Sequence, residues 1–140
     1  MNIAIMAHDK KKELMVQFCI AYKGILEKHS LSATNTTGRL VAEATGLPIT
    51  LYLSRAQGGQ QQVGARIAYN EIDLVLFFTD PGCNDPVQEQ NLLQIERLSD
   101  MHNVPFATNL ATAEMLTLGL ARGDLDWREG NGKSAPLYDF

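Results

Sequence analysis

The chain has 140 residues, 45% of them apolar, and a formal charge of −4; this bounds it to one ordinary domain with enough material for a proper core. The acidic balance argues against a general polyanion-binding surface, so nucleic acid is not an expected partner. Two cysteines, Cys19 and Cys83, are too few for a disulfide framework and lack metal-ligand spacing, which fits a cytoplasmic protein without a metal site. The apolar run that opens the chain is too brief for a signal peptide or a membrane span.

That opening run, Ile3 to Ala7, predicts a short buried strand. Lys11 to His29 carries Leu14, Phe18, Tyr22 and Leu26 at four-residue steps, one apolar stripe of a helix. Leu31 to Thr34 predicts a second strand leading into a threonine-rich turn, and a helix is expected from Gly38 onward, with Leu40, Val41 and Ala44 inside it. Ile49 to Leu53 predicts a third strand, Gln60 to Asn70 a helix, Leu74 to Phe78 a fourth strand, and Glu89 to His102 a helix. Val104 to Ala107 and Ala111 to Arg122 add a last strand and helix. From about Gly123 the composition turns polar, so residues 1–122 are expected to form the domain and 123–140 a tail, with Trp127 its obvious anchor.

Such alternation predicts a three-layer α/β fold: a five-stranded, mainly parallel sheet with helices on both faces and right-handed crossovers. Ligands of these sheets gather at the C-terminal ends of the strands, where this chain places its polar, glycine-bearing loops. Thr34, Thr36 and Thr37 offer three hydroxyls beside a helix start, which suits a phosphate; a solvated N-cap turn is the bland alternative. His8 and Lys12 stand one helical turn apart past the first strand and can face the same pocket, although singly they read as a loop residue and a solvated lysine run. Ser54 adds a hydroxyl and Arg55 a planar cation, or both are plain surface. The pair Gly58-Gly59 lets backbone approach a ligand and opens a helix whose free N–H groups face it. Asp80 follows the fourth strand as either a rim carboxylate or a turn opener, and the segment Gly82-Cys83-Asn84-Asp85-Pro86 looks like a lid loop.

Five segments together resemble methylglyoxal synthase: Ala7-His8-Asp9 with Lys12; Ala33-Thr34-Asn35-Thr36-Thr37-Gly38; Gly58-Gly59 through Gln61-Gln62-Val63-Gly64-Ala65; Phe77-Phe78-Thr79-Asp80-Pro81; and Pro105 through Ala113. The resemblance implies the family fold and its reaction, in which a carbon-bound proton is removed from dihydroxyacetone phosphate and phosphate is expelled to leave methylglyoxal, with no cofactor. It implies that His8, Lys12, Thr34, Thr36, Thr37 and Ser54 contact phosphate and substrate, with Asn35 and Arg55 where the family has glycines. It also implies homo-oligomers, commonly hexamers.

Two departures stand beside it. The family's general base is an aspartate, and that position is Gln60, whose amide has no usable proton affinity near neutral pH. The family's histidine in the loop after Asp80-Pro81 has no counterpart, and Arg128 is the nearest substitute for a basic C-terminal segment. Two expectations of different class follow. One is a phosphate-eliminating lyase in which Asp80, Asp85 or Glu89 has become the base. The other is a non-catalytic sensor of phosphate or a small phosphorylated metabolite, as in the related regulatory domain of carbamoyl phosphate synthetase. A pure assembly module is a third.

Overall fold

A computed structural model describes residues 1–129. Five strands, β1 (Asn2–Ala7), β2 (Ser30–Ala33), β3 (Ile49–Leu51), β4 (Leu74–Phe78) and β5 (Phe106–Ala107), form one sheet in the order β3-β2-β1-β4-β5. Every pairing is parallel, so the expected mainly parallel sheet is wholly so among the described residues. The central strands β1 and β4 are apolar on both faces, as a strand sandwiched between helices must be: Ile3 to Met6 and Leu74 to Phe78 are at most 1% exposed.

Alternation along these strands splits the core. On one face Ile3, Ile5, Leu74, Leu76 and Phe78 pack with Met15, Phe18 and Cys19 of α1 (Lys12–Ala21), Val41 of α3 (Asn35–Thr45), and Ala113 and Leu120 of α6 (Leu110–Ala121). On the other, Ala4, Met6, Val75 and Phe77 meet Val63 and Ile67 of α4 (Gly59–Ala68) and Ile95 of α5 (Pro86–Met101). Burying each of these larger side chains stabilises the fold by about 1.5–3 kcal/mol, so the layered arrangement follows from the apolar pattern itself.

The structure corrects several boundaries. The helix expected over Lys11 to His29 breaks at Tyr22, whose backbone leaves helical geometry, and resumes as the short α2 (Lys23–Leu26). The helix expected after Gly38 begins three residues earlier, so the threonine turn is itself the first turn of α3, with Thr34 as N-cap. Likewise α5 starts at Pro86, capped by Asp85, whose carboxylate accepts the Val87 N–H. The segment expected to be a lid therefore ends in a helix cap.

The C-terminal segment is the largest correction. Arg128, the nearest sequence substitute for the family's basic C-terminal segment, is fully buried at the opposite end of the sheet from the threonine turn. It pairs with Asp73 at 3.3 Å and donates to the carbonyls of Ile72, His102 and Asn103. Trp127, the expected anchor, is only half-buried beneath the guanidinium. The remainder of the expected tail, including Gly130, Gly132 and Pro136, lies outside the described residues.

Candidate functional site

At the C-terminal rim of the sheet, a cleft of about 170 Å³ is lined by Ala7, Asp9, Lys12, Thr34, Thr36, Thr37, Ser54, Arg55, Ala56 and Gln60. Three separate loops deliver these residues: the end of β1, the turn from β2 into α3, and the passage from β3 into α4. Parallel topology is what brings them together, because every β-to-α connection leaves the sheet at the same edge.

Two helices begin at this cleft. In α3 the amides of Thr36 and Thr37, and in α4 those of Gln60 and Gln61, have no backbone partner among the described residues, as the first turn of any helix must leave them. Free N–H groups and the positive end of two helix dipoles converge on the same space, which favours an anion there. Thr34 makes no side-chain cap bond, leaving its hydroxyl for other use. Thr37 is 1% exposed and its Oγ1 has no partner.

The α4 start depends on its two glycines. Gly58 has φ +98°, a left-handed conformation that side chains resist. At Gly59 an added Cβ would run into the carbonyl oxygen of Leu53, which is backbone and cannot rotate away. Gln62 fastens the same junction, its Oε1 accepting the Leu53 N–H at 2.7 Å. The sequence reading passed over this role of Gln62, whose signal lay only in being the third glutamine of a motif already singled out.

His8 stands beside the cleft, between Ala7 and Asp9, and is not itself part of the lining. Its Nδ1 accepts the Asp80 N–H at 2.9 Å, which assigns the ring proton of the neutral form to Nε2. Nε2 is buried without a partner. Burial holds the His8 pKa below its ordinary 6.5, with Arg55 and Lys12 pushing the same way and Asp80 opposing them. The ring therefore stands neutral at pH 7, between the lining residues Ala7 and Asp9, with one unused donor. Lys12 lies where expected, its Nζ held by the Ala7 carbonyl at 3.0 Å and the Asp9 carboxylate at 2.8 Å.

Gln60 is 5% exposed and borders the cleft, and its Oε1 lacks a partner. Other expected residues are placed differently. Asn35 turns aside to accept from Arg39 Nε at 2.9 Å, and Ser54 donates to Gln57 at 3.3 Å while still lining the cleft. Asp80 does not line the cleft, and its Oδ1 accepts the Gly82 N–H at 2.9 Å. Asp85 is occupied as the α5 cap, and the Val87 N–H holds its pKa below the usual carboxylate value. Larger hollows exist, including one of about 270 Å³ between α4 and α5, but that one is lined by glutamines, Asn91, small residues and aliphatics, with no cation among the described residues.

Residues 14–108 match the family model for the MGS-like domain. The chain belongs to the methylglyoxal synthase family. It is 60% identical over 129 residues to a protein of Caldicellulosiruptor saccharolyticus named methylglyoxal synthase, covering 92% of this chain and 91% of that relative. A Thermoanaerobacter relative of the same name is 53% identical over the same span, covering 97% of its own length. Among solved structures, methylglyoxal synthase from Elizabethkingia anophelis superposes with a TM-score of 0.75 at 38% identity, covering 83% of this chain and 76% of that one.

Proposed function

We propose that the rim cleft binds phosphate or a small phosphorylated metabolite, and that the family reaction, phosphate elimination from dihydroxyacetone phosphate, is slow or lost. Of the five unpartnered buried side-chain atoms among the described residues, those of Thr37 and Gln60 belong to residues that line this cleft, and a third belongs to His8, between the lining residues Ala7 and Asp9. Buried polar atoms without partners cost about 1–3 kcal/mol each, so their concentration at one place supports a ligand that satisfies them. Thr34, Thr36, Thr37, Ser54 and the two helix starts seat the phosphate, Lys12 supplies charge, and His8 donates through Nε2. Gly58 and Gly59 let the backbone come close, and Asn35 shapes the α3 entry.

Turnover is another matter. Gln60 stands at the head of α4 where a base is required, and its amide cannot take a carbon-bound proton. None of the candidate substitutes, Asp80, Asp85 or Glu89, lines the cleft beside Gln60. A positioned base contributes about 10²–10⁴-fold, so the expected residual rate is lower by that factor. The high identity to relatives named methylglyoxal synthase favours a second reading, an active lyase whose base remains to be found. Methylglyoxal formation from dihydroxyacetone phosphate, measured for the wild type and for Gln60→Asp, separates the two. The binding reading expects activity to rise in the variant; wild-type turnover equal to or above the variant's overturns it. The exposed Leu40, Leu51 and Leu53 near the unpaired β3 edge support self-association, with a hexamer as the family form.

A further inference from the structure

We infer that the cleft selects a ligand carrying two anionic groups: a phosphate on the threonine turn and a carboxylate held between Arg55 and the Gln60 amide. This rests on the phosphate reading above and narrows its ligand to small phosphorylated carboxylic acids.

The charges around the cleft carry the argument. Lys12 and Asp9 neutralise each other across 2.8 Å. Asp9 is the only carboxylate in the lining among the described residues, and its side chain is 81% exposed, facing water rather than the cleft interior. Arg55 also lines the cleft, and no ion pair among the described residues engages it. Arg55 is exposed at the edge of the cleft it lines, and its charge acts on His8, Asp9 and Asp85. A phosphate seated on two helix starts is met by their N–H groups and by Lys12, so one cation is left over. The planar fork of a guanidinium matches a carboxylate in a way that a hydroxymethyl or carbonyl group cannot.

Gln60 completes the subsite. It is buried, neutral and in the first turn of α4, where a negative charge is stabilised. A carboxylate in place of this amide would repel an anionic ligand group; the amide instead offers an N–H donor to it and leaves Oε1 for a ligand hydroxyl. A cavity of about 170 Å³ has room for a chain of two or three carbons beyond the phosphate and for little else.

The test is calorimetric titration of the full chain with inorganic phosphate, glycerol 3-phosphate and 3-phosphoglycerate, the last two differing in a hydroxymethyl against a carboxylate. Wild type is expected to bind 3-phosphoglycerate about tenfold or more tightly than glycerol 3-phosphate, the range of one charge-assisted contact. In Arg55→Ala that ratio falls towards one, and in Gln60→Glu, which keeps the shape and adds a charge, it falls below one. A wild-type ratio of one or less overturns the inference, as does a ratio that Arg55→Ala leaves intact. Tighter binding of glycerol 1,3-bisphosphate than of 3-phosphoglycerate overturns the carboxylate assignment. Failure of all the phosphates to bind removes the proposed function itself, and this inference with it.

Discussion

At the N-terminal end of the strands, Arg128 and Asp73 are as buried as any core leucine, yet the guanidinium reaches four acceptors: the Asp73 carboxylate and three backbone carbonyls. At the C-terminal end His8, Thr37 and Gln60 are nearly as buried, and each keeps an atom with no partner. Same sheet, similar depth and opposite bookkeeping distinguish a closed end, whose buried polar groups are satisfied, from an open end that keeps unpartnered ones, the end proposed to take a solute. A buried polar group that is fully satisfied ties elements together; one left unsatisfied is a cost that a ligand can relieve.

Breaking the closed end should have the largest effect. Arg128→Met removes the cation paired with the buried Asp73 carboxylate together with its three carbonyl contacts, and denaturant unfolding should report a loss of about 3–5 kcal/mol; a loss under about 1 kcal/mol would mean the pair is not buried as described. Next comes Gly59→Ala, at the open end. Its Cβ meets the Leu53 carbonyl, so the α4 start must shift, lowering stability by roughly 1–3 kcal/mol and weakening phosphate binding at the same time.

Thr37→Val sharpens the contrast, because it removes an orphan hydroxyl rather than a satisfied one. Stability should stay within about 0.5 kcal/mol of wild type or rise, while phosphate affinity, read by calorimetry, falls about tenfold. A stability loss like that of Arg128→Met would place Thr37 among the structural groups instead.

The smallest effect is one of pH. Burial lowers the His8 pKa below 6.5 in the folded chain, so between that lowered value and 6.5 the unfolded chain binds more protons. Stability is therefore lost as pH falls through this window, and His8→Gln should flatten the decline without abolishing it. His29, whose pKa burial also lowers, accounts for the remainder. An unchanged pH slope in the variant would show that His8 titrates as if exposed.

How much of this was legible in the sequence differs between the two ends for a physical reason. The open end is built from local motifs: the threonine turn, the glycine pair and the residues after β1 each sit in a short stretch, and strand topology alone assembles them. Even so, the turn of Thr34 to Gly38 read as a loop before a helix, since its threonines and asparagine favour non-helical conformations, whereas Thr34 is the cap and the rest is helix. Asp80 read equally as a rim carboxylate or a turn opener, and the structure has it in the turn, accepting the Gly82 N–H outside the cleft lining. The closed end was not legible at all. Arg128 and Asp73 are 55 residues apart, and an arginine in a polar stretch gives no local sign that it will be swallowed whole. Tyr22 likewise kept the apolar stripe unbroken in sequence while its backbone left the helix.

The most direct trial of the proposal, an anion cleft with Gln60 at the position of the base, is a single titration of the wild-type chain with dihydroxyacetone phosphate, following heat of binding and methylglyoxal release in the same cell. Saturable binding, with product forming about 10²-fold or more slowly than in Gln60→Asp, is the expected result. Rapid methylglyoxal release by the wild type, with no gain in the variant, would contradict it.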